Sequence, residues 1–232
     1  MFMPLTCMFR DTPADLASAA ADLIATHVHS AISARGECLI AVAGGTTPVS
    51  TYRELTRRDI DWAKVVFVQT DERVTPQLAD RSDGLIESAL GLTDPGHRAT
   101  WHPIPVSGDG RETAAAYDEQ LSLLRAEGVP DIAVLGLGTD GHTASIFDHT
   151  LREDPYQRVV ATTYHGEQRV SLGLNYLQAV PTRILLATGG SKRAALAQIL
   201  TPATGAAVTS AAVVLGQDGY ILADAAAHPG QA

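Results

Sequence analysis

Apolar positions along this chain follow two periods. Leu16, Leu23, Ile24, Val28 and Ile32 recur at helical spacing behind Thr12-Pro13, a capping residue followed by a proline suited to a first turn, which predicts a helix over 14–34. Short unbroken apolar runs stand at 39–43, 65–68, 132–135, 184–187 and 220–223. Runs of that length suit strands covered on both faces, as in a parallel sheet. Helical patterns fall between them at 48–57, from Ser82 as cap to a stop at Gly91, at 111–127 with Gly128 as terminator, and at 193–200. Two further strands are predicted near 159–163 and 170–172, while 95–105 and the polar stretch up to Gln157 read as loops. Alternation of strand and helix predicts an α/β fold, a doubly wound, mostly parallel sheet. No repeat or linker interrupts it, so one domain over 1–232 is expected.

Composition narrows the class of protein. Hydrophobic residues make up 45% of the chain and aromatics 5%, which fits a globular protein that is rich in helices. The formal net charge of −9 repels nucleic acid and anionic membranes, and neither is expected as a partner. It leaves room for a small anion, since a few arginines, lysines and amides hold one phosphate whatever the global charge. No apolar run reaches membrane-spanning length, and the short apolar start, Met1 to Phe9, lacks a basic leader, so the cytoplasm is the expected compartment. Cys7 and Cys38 form neither a disulfide framework nor a zinc spacing, and both are expected to be inert. His27 and His29 face different sides of a helix and no His-Glu-x-x-His pattern occurs, so no metal and no cofactor is expected. A Gly-x-Ser-x-Gly elbow is also missing. Oligomeric state, monomer or homodimer, is left open.

Chemistry concentrates where strands end. The run Asp131-Ile-Ala-Val-Leu-Gly-Leu-Gly-Thr-Asp-Gly-His142 is an apolar strand entering a glycine-rich turn, which presents Asp140 and His142 at the carboxyl edge of a sheet. Gly136, Gly138 and Gly141 also match the dinucleotide fingerprint, but they sit mid-chain, and no carboxylate stands near 161–164 to hold a ribose. Gly44-Gly45-Thr46-Thr47-Pro48 joins a strand to a helix, as either an anion site built of amides and helix dipole or an ordinary tight helix start. Without a lysine it is no Walker loop. Thr188-Gly-Gly-Ser-Lys192 repeats the arrangement with a cation at the helix start, where Lys192 either meets an anion or forms a solvated pair with Arg193. Asp71-Glu72-Arg73 ends a third strand, as solvated turn charges or as part of one shared site. Convergence of these turns on one sheet edge favours the site.

Taken in order, Ala43-Gly-Gly-Thr-Thr-Pro48, Asp71-Glu-Arg73, Leu135-Gly-Leu-Gly-Thr-Asp-Gly-His-Thr-Ala-Ser-Ile-Phe147, Arg169-Val-Ser-Leu172 and Gly189-Gly-Ser-Lys192 resemble the motif series of the 6-phosphogluconolactonase family. The resemblance runs nearly end to end. That family is the hydrolase branch of a superfamily that also holds glucosamine-6-phosphate deaminase, and it implies a modified Rossmann-like sheet. It further implies hydrolysis of a phosphorylated sugar lactone, with His142 as general base on water and Asp140 orienting it. Gly44, Gly45, Thr46, Arg169 and Lys192 match the positions that hold the 6-phosphate. Arg73 would either polarise the lactone carbonyl or complete the anion site. Asp71 matches the proton-transfer acid of the deaminase branch.

Departures from the family pattern are Asp83 in place of an asparagine, and Gly173 and Asn175 after the arginine motif. The deaminase branch carries a glutamate where this chain has Phe147, with Asp148 out of phase, and an aromatic residue where it has Arg73. A non-catalytic sugar-phosphate sensor is a third reading, disfavoured because Asp140 and His142 are both retained.

Overall fold

The unbroken apolar runs of the sequence become the middle of a parallel sheet. The computed structural model describes residues 5–125, 128–147, 157–202, 204 and 207–230. Its strands in the main sheet are β1 (Thr6–Arg10), β2 (Cys38–Val42), β3 (Val65–Gln69), β5 (Thr100–His102), β6 (Ile132–Gly136), β9 (Thr182–Ala187) and β10 (Tyr220–Asp224). They lie in the order β1-β10-β9-β6-β2-β3-β5. All pairs are parallel, with Ile40 opposite Ile132 and Val134 opposite Ile184. A second sheet of three antiparallel strands holds β4 (Asp71–Arg73), β8 (Glu167–Leu172) and β7 (Val159–Tyr164) in that order.

Helices cover both faces, which is why β2 is buried at every position. Against one face lie α1 (Pro13–Arg35), α2 (Thr46–Leu55) and α3 (Asp83–Ala89), where Leu16, Ile24, Tyr52 and Ile86 pack with Ile40, Phe67 and Val134. Against the other lie α4 (Gly110–Leu124), α5 (Leu174–Gln178), α6 (Arg193–Leu200) and α7 (Ser210–Leu215), with Tyr117, Leu177, Leu196 and Val214 on Leu39, Leu135 and Leu185. Successive side chains of one strand thus feed two cores, as the period of two requires. From β2 the chain first builds outward to β3 and β5, then returns to place β6 on the other side of β2. Crevices form at such a reversal, outside the carboxyl ends of the strands.

Several elements depart from the sequence pattern. Thr6–Arg10 is an edge strand within the short apolar start, and Thr100–His102 is another inside the stretch read as loop. Each is held by one neighbour, which supplies pairing that the local pattern does not announce. The strands near 159–163 and 170–172 form a hairpin outside the parallel sheet. Asp71-Glu72-Arg73 is a strand of that same small sheet rather than turn charges. Thr12 caps α1 as expected, its hydroxyl accepting from the Asp15 amide at 3.1 Å. Ser82 makes no side-chain cap, and α4 ends at Leu124 because Arg125 is already extended, not because of Gly128. Pro48 stands third in α2 rather than first. The expected helix end at Glu127, the polar stretch 148–156 and Asp148 lie outside the described residues.

Candidate active site

A cleft of about 510 Å³ opens at the carboxyl ends of β2, β3, β6 and β9. Gly44, Gly45, Thr46, Asp71, Arg73, His142, Arg169 and Lys192 all line it. Asp140 does not, but it bonds the His142 ring. Residues spread over most of the sequence are therefore brought together at the predicted sheet edge.

One part of the cleft is suited to an anion. Gly45 has φ of 99°, the left-handed region where a side chain is strained, and it starts α2 with no side-chain cap and no acid in the first turn. The positive end of the helix dipole is left uncompensated there. A Cβ on Gly44 would collide with Ser82, so glycine is needed for α3 to approach this turn. Across from it Gly189, φ 89°, is fixed by its amide bonds to both oxygens of the buried Asp224 carboxylate at 3.0 and 3.1 Å. The Thr47 and Thr188 hydroxyls meet at 2.5 Å and tie the two turns together.

Three cations join them. Lys192 closes the 3₁₀ turn after Gly189 and, among the described residues, has no ion-pair partner. Arg169 donates from Nη2 to Glu167 at 2.8 Å, while its buried Nε has no hydrogen-bond partner among the described residues. A buried unpaired donor on a cleft wall is unfavourable alone and favours an acceptor from a ligand. Arg73 also bonds Glu167, through Nε at 3.3 Å, and the Asp80 carbonyl through Nη1 at 3.1 Å.

The other part of the site is set by the turn after β6. Gly138 is held in shape by His142: its amide donates to the His142 carbonyl at 2.7 Å, and a Cβ there would occupy the space of the His142 ring. Gly141, φ 89°, lets the chain turn back beneath Thr209. Asp140 Oδ1 lies 2.5 Å from His142 Nδ1 and 3.2 Å from the His142 amide. Burial raises the Asp140 carboxyl, but the amide bond and the imidazole outweigh it and hold its pKa below the usual aspartate value. The carboxylate keeps the proton of a neutral ring on Nδ1, so Nε2 is the basic nitrogen.

Asp71 and Glu72 differ sharply. Asp71 is clasped by the Thr70 and Ser145 hydroxyls at 2.9 and 2.7 Å and still reaches the cleft. Glu72, 2% exposed, accepts from the Gln69 side chain, the Ser82 hydroxyl and the Ser82 and Asp83 amides. It thereby anchors the start of α3 behind the Gly44 turn, a role hidden in a sequence where it is one charge among three. The departures from the family pattern are matters of packing. Asp83 pairs with Arg81 and stays off the cleft, and a Cβ on Gly173 would collide with the Gln157 carbonyl. Tyr164, which lines the cleft and bonds Asp140 at 3.2 Å, belongs to none of the sequence motifs.

With this geometry in place, the model of the family described as glucosamine-6-phosphate isomerases/6-phosphogluconolactonase matches residues 11–222. The chain belongs to that family. A 6-phosphogluconolactonase of Rhizobium meliloti is 36% identical over 197 residues, covering 81% of this chain and 84% of the relative. The solved 6-phosphogluconolactonase of Trypanosoma brucei superposes with a TM-score of 0.81 at 26% identity, covering 97% of this chain and 98% of that one. That of Shewanella baltica, at 24% identity, shares the fold with a TM-score of 0.84 over 97% of this chain and 100% of its own. Family membership accounts for a parallel sheet of this order with its glycine turns on one edge.

Proposed function

We propose that the chain hydrolyses 6-phospho-D-glucono-1,5-lactone to 6-phospho-D-gluconate, a step of the pentose phosphate pathway, as one catalytic unit over residues 1–232. The observation that carries this reading is the Asp140-tethered imidazole in the same cleft as two glycine-led helix starts and three cations. Arg169, Lys192 and the amides of Gly44, Gly45 and Thr46 hold the phosphate. Anchoring that end fixes where C1 of the sugar lies, so remote binding energy becomes orientation.

His142 Nε2 takes a proton from water as the water oxygen bonds C1, and the carbonyl electrons move onto the exocyclic oxygen. When that oxyanion collapses, the bond from C1 to the ring oxygen breaks, and the ring oxygen takes the proton from the imidazolium. Asp140 stabilises the imidazolium between the two steps. A lactone is an activated ester, and a positioned base contributes roughly 10²–10⁴-fold, so no metal is called for. Arg73 supplies positive charge beside the developing oxyanion or the phosphate, and Asp71 offers a fixed carboxylate to the sugar hydroxyls. A phosphorylated, anionic lactone does not cross a bilayer unaided, so its hydrolysis belongs in the compartment where sugar phosphates are made. We place the reaction in the cytoplasm.

Phe147 at the position of the deaminase glutamate favours hydrolysis over deamination. The test is a coupled assay on freshly generated lactone, with spontaneous hydrolysis as background. His142→Asn should lower kcat by roughly 10²–10⁴-fold while 6-phosphogluconate still binds. Lys192→Ala and Arg169→Ala should mainly raise KM. Near-normal turnover by the His142 variant refutes the mechanism; turnover of glucosamine-6-phosphate alone, or binding without turnover, refutes the activity.

A further inference from the structure

The β7–β8 hairpin brings Arg169 of β8 and Tyr164, the last residue of β7, to the cleft. The Tyr164 hydroxyl donates to Asp140 Oδ2 at 3.2 Å, while Oδ1 holds the His142 ring and amide. Each oxygen of the carboxylate is thus taken by a different segment of the chain. The hydroxyl is itself held in place, because the Tyr164 ring stacks on Phe147 with centroids 3.9 Å apart and planes 1° from parallel. Phe147 is 3% exposed, and its ring lies 4.7 Å from that of His142. Tyr164, Phe147 and His142 therefore form one aromatic group around the Asp140 carboxylate.

We infer that Tyr164 is a positioning residue for the general base, acting through Asp140: it occupies Oδ2, stops the carboxylate from turning towards the cations of the cleft, and keeps Oδ1 on Nδ1 of His142. Side-chain exposure of Asp140 is 45%, so the imidazole alone would hold a carboxylate that water can solvate and rotate. A second donor removes that freedom. Partial burial, then the charge of Asp140 and the bond to it, push the Tyr164 phenol above its usual range, so it remains a donor throughout neutral pH. The titratable and charged groups around the Asp140–His142 pair are Tyr164 from β7, Asp71, Glu72 and Arg73 from β4, Arg169 from β8, and Lys192, all lining the same cleft, with the His165 ring 4.1 Å from that of Tyr164. No other hydroxyl or N–H in that set bonds Oδ2 among the described residues. The inference rests on the hydrolytic reading above only for its kinetic part.

Tyr164→Phe is the deciding variant, because it keeps the stack on Phe147 and removes one oxygen. It should lower kcat about 3–10-fold with KM unchanged, the loss expected for one hydrogen bond. The acid limb of the kcat profile should move to lower pH, because a carboxylate free to turn away from Nδ1 stabilises the protonated ring less. The low-field proton NMR resonance of the Asp140–His142 bond should shift as well, and this readout needs no substrate. Wild-type kcat, an unmoved pH profile or an unmoved resonance in Tyr164→Phe overturns the inference. So does a rise in KM alone, which would make Tyr164 a substrate contact. If the wild-type protein fails to hydrolyse lactone, the proposed activity falls, and the resonance still decides whether Tyr164 acts on Asp140.

Discussion

Thr47 and Thr188 place their hydroxyl oxygens 2.5 Å apart, joining the turn after β2 to the turn after β9 although 141 residues separate them in sequence. The strand between those two in the sheet is β6, whose following turn carries Asp140 and His142. The bond therefore ties together the two glycine-led turns on either side of the one that holds His142, the proposed base. Thr188→Val keeps the shape and removes the bond, and should raise KM for the phosphorylated lactone about 3–10-fold with kcat near wild type. Steady-state kinetics checks this; an equal fall in kcat would mean that the link also positions the base.

Gly138 makes a sharper prediction. Its φ lies outside the left-handed region, so alanine is tolerated by the backbone, but the added methyl takes the place of the His142 ring edge and an Asp140 oxygen. The side-chain end is what moves. Gly138→Ala should fold normally and bind inorganic phosphate or 6-phosphogluconate normally, yet lose roughly 10²-fold in kcat, the scale of a displaced base. Circular dichroism, calorimetric binding and the lactone assay together separate that outcome from unfolding.

How far each feature is legible in the sequence depends on whether it is encoded locally. The helix at 13–35 carries its own cap, proline and apolar stripe, and the central strands carry unbroken apolar runs, so both are local signals. Their glycine-rich ends mark the site for the same reason. Asp71-Glu72-Arg73 cannot be read as a strand, since its pairing with Ser171, Val170 and Arg169 is supplied by a hairpin far along the chain. The buried carboxylate of Glu72 and the hydroxyl of Tyr164 are hidden by the same cause: each acts through a partner that only the tertiary fold brings near. Asp83, Gly173 and Asn175 depart from the family pattern, and none of them lines the cleft.

Helix α4 begins with a capping box, in which Asp109 accepts from the Arg111 and Glu112 amides and Glu112 accepts from the Asp109 amide. The amide bonds from Glu112 and then Arg111 hold the Asp109 carboxyl below its ordinary value of 3.8. A carboxyl depressed on folding contributes stability above its unfolded value and loses it as pH falls through the folded one. Asp109→Ala should therefore have a lower urea midpoint than wild type at neutral pH, with the gap constant down to about pH 4 and narrowing below it. A gap that stayed constant into acid would assign the effect to lost packing instead of the charged cap.

Glu167 holds Arg169 at 2.8 Å and Arg73 at 3.3 Å through the same oxygen, Oε2. One anionic oxygen shared by two guanidinium groups at the proposed phosphate site is in the position of a competitor. At 57% side-chain exposure it can swing out to water, and the charge of Arg169 first of all keeps its carboxyl below the usual glutamate range, so it stays ionised at neutral pH. In the proposed reading an incoming phosphate competes with it for the two guanidinium groups. Glu167→Gln removes that competition without shortening the side chain, and should tighten 6-phosphogluconate binding about 3–10-fold at low ionic strength, with kcat unchanged. The advantage should shrink as salt is added, because exposed charges are screened over about 10 Å at 0.1 M. Calorimetric titration at two salt concentrations measures both effects. Weaker binding by the glutamine variant would instead mean that Glu167 aligns the two arginines, and that the substrate phosphate uses donors other than those Glu167 occupies.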